Sequence, residues 1–67
     1  MSPSRLKTMI KRLRTERGLT QVDLARRAKV TQTYIAKLEG GDRVSPSLPV
    51  LKRLAKALGV PVTALLE

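Results

Sequence analysis

The chain has no cysteine, no histidine, no tryptophan and no phenylalanine, and Tyr34 is its lone aromatic residue. Without cysteine, disulfides and thiolate metal sites are excluded. Without histidine, the commonest general acid–base and metal ligand is gone. Only five acids remain, dispersed along the chain, and they form no catalytic constellation, so an enzyme is not expected. A single aromatic leaves no stacking platform for single-stranded nucleic acid. No run approaches the ~18 apolar residues that a membrane span needs, and the N-terminus has no apolar signal region. The expectation is a cytoplasmic protein with no cofactor, no metal and no evident small-molecule ligand.

What the chain has in excess is positive charge. Fourteen Lys and Arg against five acids give a net charge of +9 in 67 residues. A magnitude of about 2–8 suffices to keep a small domain in solution. A larger basic excess points to a polyanionic partner, although charge alone also fits a solvated basic surface. A membrane surface fits less well, because the charge is spread over several helical segments. The length allows one domain, residues 1–67. A chain this short buries only about 60% of its unfolded surface, so association with a second copy is a plausible stabiliser.

The most informative stretch is Thr20 to Glu39, TQVDLARRAKVTQTYIAKLE. Thr20 and Thr31 each precede a helical pattern, and a Thr hydroxyl can accept from an orphan N–H at a helix start. Asp23 completes a short-armed capping box with Thr20. The two helices span Gln21–Ala28 and Gln32–Glu39, with Lys29 and Val30 left for the turn. Two helices joined by so short a turn form the helix-turn-helix motif, whose second helix enters the DNA major groove.

The flanks complete an all-α fold of five helices. The first runs from Met1 to Arg17, with Ser2 as cap, Pro3 at the first helical position and Gly18 at the end. Leu6, Met9, Ile10 and Leu13 make its apolar stripe. Leu19 is placed to staple against Leu24. Leu24, Ala25 and Ala28 face inward from the second helix; Val30, Ile35 and Leu38 do so around the third. Gly40 and Gly41 end the third helix. Ser47 caps a fourth, with Leu48, Leu51, Leu54, Ala55 and Leu58 inside and Gly59 at its end. Val60 to Glu67 holds a short fifth helix.

These segments resemble the lambda repressor-like, Cro/CI-type helix-turn-helix family. RGLTQVDLA, TQTYIAKLEGG and LKRLAKALGV carry the resemblance over nearly the whole chain. It implies a bacterial or phage-encoded regulator that binds double-stranded DNA: a repressor, a controller of restriction–modification genes or a plasmid regulator. An antitoxin or protein-interaction module on the same helices is the alternative. One position departs from the family. Lys29 stands where the family often has Gly, at a turn residue that needs positive φ. A non-glycine residue adopts that conformation at a cost of roughly 1 kcal/mol.

Expected DNA contacts follow from chemistry and from the resemblance together. Gln32 offers a donor and an acceptor side by side, matching adenine N6 and N7. Thr33 could meet a thymine methyl or a base edge, and Lys37 a guanine or a phosphate. Tyr34 either packs its ring on the core edge or turns toward the groove. Thr20, Gln21 and Thr31 sit at helix N-termini, which attract phosphate. The resemblance implies that Gln21 holds a phosphate and braces Gln32. It implies that Arg43, in the loop after the third helix, touches the backbone or minor groove; a solvated loop Arg is the bland reading. It also implies that Arg14 pairs with Glu39, with Arg14 shared between that pair and a phosphate. One copy contacts too few bases for useful specificity, so a homodimer on a roughly palindromic site is expected. Val60, Val62, Leu65 and Leu66 are the candidate dimer surface, or else they pack into the chain's own core.

Overall fold

The computed structural model describes residues 3–41 and 44–66. Its described residues form five helices and no strand: α1 (Pro3–Glu16), α2 (Gln21–Ala28), α3 (Gln32–Gly40), α4 (Leu48–Leu58) and α5 (Thr63–Leu66). Ser2, Arg43 and Glu67, each given a place above, lie outside the described residues.

Capping chemistry sets most helix boundaries. The Thr20 hydroxyl accepts from the Asp23 N–H at 3.0 Å, and the Asp23 carboxylate accepts from the Thr20 N–H at 2.9 Å. The capping box is therefore closed with Asp in place of the longer Glu. Thr31 accepts from the Tyr34 N–H at 3.0 Å, and Ser47 from the Val50 N–H at 3.4 Å. The helix ends share one device. Gly18, Lys29 and Gly59 each take a left-handed conformation after α1, α2 and α4. The next residue then donates back across the last turn: Leu19 to the Arg14 carbonyl, Val30 to Ala25 and Val60 to Ala55. This Schellman closure satisfies orphan carbonyls. α3 runs one residue further than expected, because Gly40 is helical and Gly41 alone takes the left-handed position, at φ 85°.

The core is filled by Leu6, Ile10 and Leu13 of α1, Leu19 between α1 and α2, Leu24, Ala25 and Ala28 of α2, Ile35 and Leu38 of α3, Leu51, Leu54, Ala55 and Leu58 of α4, and Leu65 of α5. α2 packs on α3 and α4, while α1 packs on α3 and α5. The small Ala25 and Ala28 belong to the α2 face that meets these neighbours. Met9 and Val30 pack against the core only partly buried. Leu48, expected inside, is 50% exposed. It is the first residue of α4, and helical side chains tilt toward the N-terminus, so its side chain leans past the packed part of the helix. Leu65 is 1% exposed and fills the core of its own chain, which corrects its placement on a dimer surface. The short α5 carries it inward against α1 and α4. Val60 and Val62 are half-buried, and Leu66 is 38% exposed.

Candidate nucleic-acid interface

α3 has three distinct sides. Ile35 and Leu38 are buried in the core. Gln32, Thr33, Ala36 and Lys37 are exposed. Tyr34 and Glu39 are intermediate, on the two flanks between core and solvent. Gln32, Thr33 and Lys37, the residues expected to meet base edges, thus stand on the solvent side of α3.

The Glu39 flank is fixed by charge. Arg14 Nε donates to Glu39 Oε2 at 2.7 Å, and Arg14 Nη2 donates to Glu39 Oε1 at 2.9 Å. Arg14 Nη1 donates to the Leu19 carbonyl at 2.8 Å. The two side chains are 13% and 4% exposed. The planar fork of Arg suits this two-pronged contact. The bond to Glu39, more than offsetting burial, raises the Arg14 pKa. The Gln21 amide also donates to Glu39 Oε1, at 3.3 Å. Glu39 is a charged acceptor, which strengthens this bond from Gln21. One carboxylate thus ties together α1, the start of α2 and the end of α3.

On the other flank, Tyr34 is partly buried and packs against the core. Burial pushes the phenol pKa up, and the positive charge of Arg53 opposes the shift. Arg53 Nε donates to the Ala28 carbonyl at 2.9 Å, so a cation of α4 caps the C-terminal end of α2. Sequence reasoning did not find this contact. Arg53 looks like one more outward charge on α4, and its partner lies 25 residues away. Lys7 was also missed. It reaches from α1 to the end of α3, where a side chain at Gly41 would meet Lys7 Nζ at 3.2 Å. With Thr8, Lys11, Arg12 and Glu39 it lines a shallow recess of about 420 Å³. The available signal was the i, i+4 spacing of Lys7 and Lys11 on one helix face.

At the entrance to α2, the capping bonds to Thr20 hold the Asp23 carboxyl below its usual range. The hydroxyls of Thr20 and Thr31 are both used as acceptors by their caps, and each keeps its own hydrogen to donate.

A family model described as helix-turn-helix matches residues 10–65. The chain belongs to the helix-turn-helix family, of the lambda repressor-like type. The chain is 48% identical over 56 residues to the immunity repressor protein of Bacillus phage phi105, covering 84% of this chain and 38% of that protein. It is 50% identical over 54 residues to an uncharacterized HTH-type transcriptional regulator of Methanothermobacter thermautotrophicus, covering 81% of this chain and 77% of that one. It thus spans less than half of the phage relative and most of the Methanothermobacter one. Among solved structures, the restriction-modification controller protein C.AhdI of Aeromonas hydrophila superposes with a TM-score of 0.84 at 31% identity, covering 91% of each chain. In helix-turn-helix terms, α2 and α3 are the motif, and Lys29 holds its turn at φ 59°, ψ 43°. Among the described residues it is the one non-glycine residue with positive φ.

Proposed function

We propose that this chain is a sequence-specific double-stranded DNA-binding transcriptional regulator that acts as a homodimer on a roughly palindromic operator. The observation that carries the reading is the exposed face of α3. Gln32, Thr33 and Lys37 stand side by side there, on a helix locked by the Arg14–Glu39–Gln21 cluster. Side chains that can match base edges are useful only on a helix whose orientation is fixed.

Thr20, Gln21 and Thr31 supply the phosphate contacts, through N-terminal N–H groups and cap hydroxyls. Arg43, which follows α3 in the sequence, adds a further backbone contact. Arg14 acts as a positioning residue, since its fork is already engaged with Glu39 and Leu19. Tyr34 contributes its polar tip at the groove edge while its ring stays on the core. Val60, Val62 and Leu66 form the surface that meets the second copy. The protein works in the cytoplasm of a bacterium, encoded by that cell or by a phage.

Selection of bound duplexes from a random pool tests this reading. The expected result is one enriched motif with two related half-sites, their centres about one helical turn apart. A pool with no enriched motif overturns it.

A further inference from the structure

The C-terminal end of α2 and the outer side of α4 enclose a concavity of about 360 Å³, lined by Arg27, Lys29, Arg53, Lys56 and Ala57. Four of these five side chains are cationic and none is acidic. Among the described residues, none of the four cations is in an ion pair. Arg53 is held in place by its bond to the Ala28 carbonyl. Like charges gathered at one concavity repel, and an anion relieves that repulsion.

Lys29 adds an independent observation. It occupies the left-handed position that Gly18 and Gly59 fill in the same closure at the ends of α1 and α4. Glycine takes this conformation freely and lysine does not. A strained non-glycine residue at such a position is a reason to seek a use for its side chain. Here the side chain lines the basic concavity.

We infer that this concavity is a second phosphate clamp, which holds the DNA backbone beside the groove that α3 enters. The inference rests on the DNA-binding reading above. Position favours the duplex as occupant. Lys29 precedes Gln32 by three residues, a reach of at most about 10 Å, and Arg53 is bonded to the carbonyl of Ala28, the residue just before Lys29. A major groove is about 12 Å wide and bordered by phosphates, so a cation cluster this close to α3 meets one border. Contacts of this kind strengthen binding equally on all sequences.

The test measures affinity against salt for the native chain, Lys29→Gly, Lys56→Gln and the double variant, on a selected duplex and a scrambled one. Removing a phosphate contact lowers the log–log salt slope by about 1. The inference expects that loss in each single variant and about twice that in the double. Affinity should fall by the same factor on both duplexes. Lys29→Gly should at the same time melt a few degrees higher, because it relieves the turn. Lys56→Gln, at an exposed residue, provides the readout if the double variant does not fold. Unchanged slopes and affinities overturn the clamp while leaving the DNA-binding reading intact. A loss on the selected duplex alone, with the slope unchanged, also overturns it. A native chain that shows no salt-dependent duplex binding overturns the clamp and the DNA-binding reading together.

Discussion

Arg14 and Glu39 stand 25 residues apart in the chain and share two hydrogen bonds, of 2.7 and 2.9 Å, with the Glu39 side chain only 4% exposed. The pair joins the first helix to the end of the third. Replacing such a pair as a whole by apolar residues can be nearly neutral, whereas removing one partner strands a buried charge. On the proposed function, the pair fixes where α3 points.

Glu39→Gln should therefore destabilise the fold by about 3 kcal/mol, leaving Arg14 without its counter-charge. Thermal melting reads this as a fall of well over 10 °C in a domain this small. The double replacement Arg14→Met with Glu39→Leu should recover much of the loss in stability. It should not recover specific binding, because the new pair is non-directional. Equal losses in the single and double variants would assign the cost to something other than the stranded charge.

Acid should loosen the start of α2. Bonds from Thr20 hold the Asp23 pKa below its ordinary 3.8 in the folded chain. A carboxyl lower in the folded than in the unfolded state binds fewer protons when folded. Its contribution is thus complete above 3.8 and is lost as the pH falls below 3.8 through the folded value. An NMR titration of the Asp23 carboxyl checks the direction. Asp23→Asn should flatten the acid limb of the stability curve below that pH; an unaltered limb contradicts the assignment.

Exposure separates the C-terminal apolar residues. Leu65→Glu puts a charge where the side chain is 1% exposed, so the chain should lose its cooperative melt. Leu66→Glu, at 38% exposure, should keep the melt and shift the mass in solution toward monomer. A Leu66→Glu chain that remains dimeric places the contact between copies elsewhere.

The helix boundaries were legible in the sequence because they are local chemistry. Thr20, Thr31 and Ser47 cap the helices they precede, and Gly18 and Gly59 end the helices they follow. The strained turn at Lys29 was legible for the same reason. The exposed face of α3 followed from the helical period. Leu48 and Leu65 were not legible, since the apolar pattern does not say which end of a helix is covered or whether a single-turn helix docks. The bonds from Arg53 to Ala28 and from Gln21 to Glu39 are long-range, and no local spacing signals them. The Arg14–Glu39 pair is equally distant in sequence and was legible only through the family resemblance.

On the proposed function, α3 reads base edges with Gln32 and Thr33. The most direct measurement is equilibrium binding of native, Gln32→Ala and Thr33→Ala chains to the selected duplex and to its single-base variants. Each substitution should erase discrimination at its own base position by about 1–3 kcal/mol while leaving affinity for scrambled duplex unchanged. Native-like base preference retained in both variants would contradict the claim.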